Sequence, residues 1–158
     1  MQFTLIDRIV QLEENRQIKA VKTLTLAEEY LQDHFPRFPV MPGVLMLESL
    51  FQASAWLLLK SDDFARPLIE LAETRNIKYA DFVSPGQVMI VTATVTKQDA
   101  EGQTILRAQG CVGDTAAVGG RLIVRQKCLA DDDASKSALD AQMSNRLRNR
   151  FELLYRPE

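Results

Sequence analysis

Three residues near the start of the chain have the types and positions that acid–base chemistry requires. His34 is the only histidine. An imidazole titrates nearest neutrality and can take or give a proton there. It stands just ahead of Pro36, Pro39 and Pro42, three prolines within seven residues, which fix the backbone and can hold the ring still. Glu48 follows among Val44, Leu45, Met46, Leu47, Leu50 and Phe51. Apolar surroundings disfavour the carboxylate form and raise the pKa, so such a group can stay protonated and act as a general acid. It can equally be a structural carboxylate tied to an arginine or to backbone groups. Gly43 marks the start of an apolar run. At a helix start the first N–H groups have no intrahelical acceptor, and one of them can hold a carbonyl oxygen that gains negative charge. A plain helix cap is the simpler role for the same residue.

Elements must bring these groups together. Ile6–Glu13 and Gln17–Leu24 read as a hairpin across the polar Glu14–Arg16. Thr25 is placed to cap a short helix over Leu26–Asp33. The proline loop then leads into a helix from Gly43 to about Lys60. Its apolar residues go nearly all round, the mark of a helix enclosed by other structure. Leu68–Ala72, Asn76–Val83, Val88–Thr96, Thr104–Val112 and Ala116–Arg125 read as strands joined by short turns, an antiparallel meander. The order of hairpin, buried helix and strands implies an α+β fold, with one helix wrapped by a curved sheet. After Asp131–Asp133, Leu139, Met143, Leu147 and Phe151 recur every four residues and Leu154 follows, one helical stripe. This divides the chain into a domain over 1–130 and an extension over 131–158, mostly one amphipathic helix that docks on its own domain or on a neighbouring subunit.

Composition removes several classes of function. The chain has 158 residues and a net charge of −2, so no bulk nucleic-acid or anionic-membrane partner is expected. The most apolar stretch, Val44–Leu59, is shorter than the ~20 residues a bilayer needs, and the N-terminus lacks the pattern of a signal peptide. Cys111 and Cys128 form no CxxC pair and have no neighbouring histidine; they read as small core thiols, with no metal site, in a reducing cytoplasm.

The segment His34-Phe-Pro-Arg-Phe-Pro-Val-Met-Pro-Gly-Val-Leu-Met-Leu-Glu48-Ser-Leu-Phe-Gln52 closely resembles the signature of bacterial 3-hydroxyacyl-[acyl-carrier-protein] dehydratases, which reads H-F-P-G-x-P-V-M-P-G-V-L-x-x-E-A-x-x-Q. Ile77–Gly86 is similar to a second family feature, a strand running into a V-x-P-G-D turn, with Gln87 in place of the last Asp. The resemblance covers roughly residues 5 to 127 and implies the hotdog fold. It implies that His34 and Glu48 are catalytic and that the N–H of Gly43 binds the thioester carbonyl. It also implies dehydration of a 3-hydroxyacyl thioester on acyl carrier protein to the trans-2-enoyl product, in fatty acid or related acyl-chain biosynthesis. No cofactor is implied beyond the phosphopantetheine arm that arrives on the carrier. The implied assembly is a homodimer or a trimer of dimers, with each site built across the dimer interface. Arg37, Phe38, Phe51, Gln52 and Trp56 are expected to line a substrate channel or its entrance, within a hydrophobic tunnel beside the long helix. Two departures stand out. Arg37 replaces the family glycine, where arginine would be strained if the glycine had a positive φ, and Gly119–Gly120 interrupts a strand. Two rival readings fit the same fold: an acyl thioesterase, or a non-catalytic subunit that binds the acyl carrier.

Overall fold

The computed structural model describes residues 3–156. Its strands are β1 (Arg8–Glu13), β2 (Gln17–Thr23), β3 (Leu68–Tyr79), β4 (Val88–Gln98), β5 (Gln103–Val112) and β6 (Thr115–Lys127), and its helices are α1 (Gly43–Ser61) and α2 (Ser137–Leu154). All six strands form one antiparallel sheet in the order β1-β2-β4-β5-β6-β3. The sheet wraps α1, which is the hotdog arrangement. Alternate sheet residues meet the helix, as a period of two demands. Ile18, Ala20, Met89, Val91, Ala93, Leu106, Ala108, Leu122 and Val124 are all buried against Leu50, Ala53, Leu57 and Leu58 of α1. Each fully buried leucine or isoleucine contributes about 1.5–3 kcal/mol. Ser49 and Ser54 sit inside this core without loss, because each hydroxyl donates to the carbonyl four residues earlier, Leu45 at 2.9 Å and Leu50 at 2.8 Å.

Four local expectations change. The two strands foreseen over Leu68–Ala72 and Asn76–Val83 are one long strand, β3, and it ends at Tyr79. Glu73, Thr74 and Arg75 look like a loop in sequence because they are exposed on an edge strand. The pairing with β6 also shifts between Leu71 and Glu73 and between Arg75 and Lys78. The meander holds only for β4, β5 and β6; β3 lies at the far edge, beside β6. The helix foreseen over Leu26–Asp33 shrinks to a 3-10 turn at Glu29–Gln32, since only Leu31 there is buried and nothing anchors a longer apolar face. Finally, α1 is not enclosed all round: Val44 is 70% exposed, while Leu47, Glu48, Phe51 and Gln52 are half-buried.

The glycine pair in β6 has a packing cause. A Cβ on Gly120 would lie 2.5 Å from Ile77 Cδ1 and 3.0 Å from its Cα. The second register shift of β3 presses that backbone against β6, so the strand needs a residue without a side chain.

Helix α2 docks across the C-terminal end of α1. There the chain turns through Asp63 and Phe64, both at positive φ (50° and 61°), a costly conformation for an aromatic residue. Ser144 of α2 donates to the Phe64 carbonyl at 2.7 Å, and Arg148 donates to the Asp63 carbonyl at 2.9 Å while stacking over the Phe64 ring. Phe151 packs against Phe64, Trp56 and Tyr155. At the other end, the buried Asp140 accepts the N–H groups of Leu129 and Ala130 at 2.8 and 2.9 Å. The stripe therefore docks on its own domain through its C-terminal half, and Leu139 stays 49% exposed. No described helix is long and apolar enough to cross a membrane.

Candidate active site

The proline segment folds into a small closed loop. Val40 N–H donates to the His34 carbonyl at 3.0 Å, and inside that pair Phe35 and Phe38 exchange two backbone bonds at 3.3 and 3.0 Å. Pro36 and Arg37 form the tip. Pro36 stands at the second position of a four-residue turn, and Arg37 at the third is not among the residues of positive φ. A type I turn accepts most residues at that place, so the strain expected at Arg37 is absent. Its side chain is exposed.

The loop also fixes the imidazole. His34 Nδ1 lies 2.9 Å from the Val40 carbonyl oxygen. A carbonyl can only accept, so Nδ1 carries the hydrogen, and in the neutral ring Nε2 presents its lone pair. The Phe35 ring stacks on the imidazole at 4.3 Å. Beyond the loop, Met41 N–H donates to the Val83 carbonyl at 2.8 Å, which ties the start of α1 to the segment after β3. Phe38 meets Phe82 edge-on at 5.7 Å, and both rings are more than half exposed.

At the head of α1, Leu45 and Met46 N–H groups return to the Pro42 carbonyl at 2.9 and 3.1 Å. The N–H groups of Gly43 and Val44 come before any intrahelical acceptor. A Cβ on Gly43 would meet the Tyr79 ring at 3.1 Å; the glycine lets that ring lie directly on the helix start. His34, Gly43, Met46, Tyr79 and Phe82 share one cavity of about 370 Å³.

Glu48 is not in it. Five residues past Gly43, it points about 140° away around the helix at ~3.6 residues per turn. It is half-buried rather than buried, and it has a partner that is neither arginine nor backbone: Gln52 Nε2 donates to its Oε1 at 2.9 Å. The same amide nitrogen donates to the Phe3 carbonyl at 3.0 Å, and Gln52 Oε1 accepts the Leu5 N–H at 2.9 Å. Every polar atom of Gln52 is engaged, so the amide cannot swing and Glu48 has a fixed neighbour. Gln52, Phe51 and Trp56 border a second, partly open cavity of about 350 Å³ that has Leu147 and Arg150 of α2 on its wall. Within one chain, then, the structure joins His34 to Gly43 and joins Glu48 to Gln52, and it keeps the two pairs on different faces of α1.

Two features escaped sequence reasoning. Tyr79 is one, because a tyrosine at a strand end carries no signal until the strand is placed against the helix start. The other is a groove of about 490 Å³ on the outer face of the sheet, beside Gly119 and Gly120, with Lys78, Arg107 and Arg121 along it. No ion pair engages these three cations among the described residues. The groove reaches the His34 cavity at Ala80, which borders both. The three come from three different strands, so no sequence window contains them.

Comparison with known proteins agrees with this fold. A 3-hydroxyacyl-[acyl-carrier-protein] dehydratase FabZ of Lactiplantibacillus plantarum is 38% identical over 112 residues, 71% of this chain and 76% of that protein. One of the same name from Wolbachia pipientis is 38% identical over 93 residues, 59% of this chain and 65% of that protein. Among solved structures, a chain of the dehydratase heterocomplex ApeI:P from Xenorhabdus doucetiae superposes with a TM-score of 0.66 at 18% identity, covering 85% of this chain and 90% of its own. The family model of the FabA-like domain matches residues 1–126, which hold α1 and all of the sheet except the last residue of β6. This chain belongs to the FabA-like domain family.

Proposed function

We propose that this protein dehydrates 3-hydroxyacyl-[acyl-carrier-protein] to the trans-2-enoyl form in fatty acid or related acyl-chain biosynthesis. One observation carries the reading: His34, its Nδ1 held by Val40, lines a cavity that also contains the head of α1 at Gly43. A base and a carbonyl-binding N–H in one cavity are what proton removal beside a thioester needs. The relatives' shared name points to the same reaction.

In this reading the thioester carbonyl accepts the N–H of Gly43, which disperses the charge that builds on its oxygen. His34 Nε2 takes the C2 proton. The C2 electron pair forms the C2–C3 double bond as the C3–O bond breaks, and Glu48 gives a proton to the departing hydroxyl. Water leaves. His34 returns its proton and Glu48 regains one, through solvent, before the next turnover. The thioester itself acidifies C2, so the reading requires no metal or organic cofactor. The phosphopantetheine arm comes with the acyl carrier, and the groove with Lys78, Arg107 and Arg121 offers its phosphate a cationic seat next to the cavity.

Because His34 and Glu48 face different ways on one chain, the reading places Glu48 of the partner subunit opposite His34 in a homodimer, alone or within a trimer of dimers. The working unit is residues 1–130, with 131–158 as an extension. Purified protein supplied with 3-hydroxyacyl carriers of several lengths, followed for enoyl product and free thiol, tests the function. Enoyl product is expected. Free thiol would make it a thioesterase, and neither product would make it a non-catalytic carrier-binding subunit.

A further inference from the structure

We infer that the C-terminal helix α2 sets the length of acyl chain this protein accepts, with Leu147 as the residue that does so. The inference rests on the dehydratase reading for its substrate, and on the second cavity for its geometry. Glu48, Gln52, Trp56 and Leu59 follow one another at spacings of three and four residues, so they share a face of α1. Gln52 both grips Glu48 and borders the cavity. A substrate whose C3 hydroxyl meets Glu48 therefore has the rest of its chain beside Gln52, with apolar room ahead along Phe51, Ala55 and Trp56. From Gln52 to Leu59 the helix advances about 10 Å at ~1.5 Å per residue. The volume, about 350 Å³, is near the lower end of the ~300–1,000 Å³ usual for small-molecule pockets.

Leu147 supplies the apolar part of the α2 wall. Arg150, its neighbour one turn on, donates to Thr4 Oγ1 and so closes the corner next to the N-terminal segment. The wall is fixed independently of the cavity, through Asp140, Ser144, Arg148 and Phe151. Helix α2 begins at Ser137, past the residues matched by the family model. The length limit is thus added by the extension and is not contained in the domain that carries His34 and Glu48.

The experiment uses the full chain and two substitutions, Leu147→Phe and Leu147→Ala, at a half-buried position where neither should prevent folding. Turnover of 3-hydroxyacyl carriers of rising length is one readout. The other is intrinsic fluorescence on titration with acyl-pantetheines of rising length, since Trp56 is the only tryptophan and lines the cavity. Leu147→Phe should lower kcat/KM and binding about tenfold for the longest chain the wild type accepts, and by less than about twofold for the shortest. Leu147→Ala should extend the range. Variants that melt like the wild type and keep its length profile in both readouts overturn the inference. So does an equal loss at all lengths, which marks a structural role, or dissociation in sedimentation with an unchanged profile, which makes the cavity a seat for a second copy. If no length gives enoyl product, the dehydratase reading fails; a length-dependent Trp56 signal that moves with Leu147 would still support the inference.

Discussion

The two faces of α1 hold their polar groups by different means. On the His34 face, backbone does the holding: Val40 fixes the imidazole, and the Phe35–Phe38 and His34–Val40 pairs fix the loop. On the Glu48 face, one side chain, Gln52, holds the carboxylate and is itself held by Phe3 and Leu5. Backbone scaffolding survives most substitutions because every residue type except proline supplies the same N–H and C=O. A side-chain clamp fails with one change. The Glu48 face should therefore be the more fragile half of the site, although the proposed reaction needs both.

The strongest test of that symmetry of need removes each group in turn. Glu48→Gln and His34→Ala should each lower kcat by about 10² to 10⁴ with melting temperatures near the wild type, measured by enoyl formation. Mixing the two inactive proteins under subunit exchange then asks whether the faces meet between chains. Half the dimers are mixed and half of their sites are intact, so activity should return to about a quarter of wild type. No recovery among heterodimers proven by native mass spectrometry would place both groups of a site on one chain.

The clamp comes next. Gln52→Leu leaves Glu48 in place but unheld, and kcat should drop about 10- to 10²-fold, the scale of a misplaced catalytic group, with KM little changed. A wild-type kcat would show that Glu48 needs no clamp and would erase the contrast between the faces. On the other face, Gly43→Ala keeps the N–H but sets a Cβ 3.1 Å from the Tyr79 ring. The ring is half-exposed and can yield, so kcat/KM should fall less than about tenfold, a loss of under ~1.4 kcal/mol. Most of it should vanish in a Tyr79→Ala background, and persistence there would mean that substrate, not Tyr79, needs the space.

The smallest effect lies away from both faces. Burial, together with the neighbouring Glu28 carboxylate, pushes the Tyr30 phenol well above its ordinary range. In the unfolded chain the phenol ionises first, so stability from this group is complete below pH of about 10 and declines as pH rises beyond it. Tyr30→Phe should remove that component, seen as a flatter loss of stability by urea unfolding between about pH 9 and 11. Parallel curves for the two proteins would show that Tyr30 does not contribute.

Much of this was legible from the chain because the clues are local. His34, the prolines, Gly43 and Glu48 lie within fifteen residues, and β4 and β5 alternate between buried and more open positions. The missing parts depend on contacts between distant segments. Edge strand β3 has little apolar alternation because half of it faces solvent. Gly120 makes sense only beside Ile77, and Gly43 only beneath Tyr79. Gln52 was visible as a member of the motif, but its role required the placement of Phe3 and Leu5, nearly fifty residues earlier. The burial assumed for Glu48 failed for a related reason: an apolar neighbourhood in sequence is spread around a helix, and one side of this helix is open.

In the proposed reaction, the attachment of Gln52 to Phe3 and Leu5 gives these two residues a part in the chemistry. A rigid fusion that displaces Phe3 would leave Leu5 and Ile6 buried in the core while taking from the amide one of the bonds that steady it beside Glu48. Such a protein would express, melt and assemble as expected and still turn over slowly, and the fault would lie in how the chain was begun.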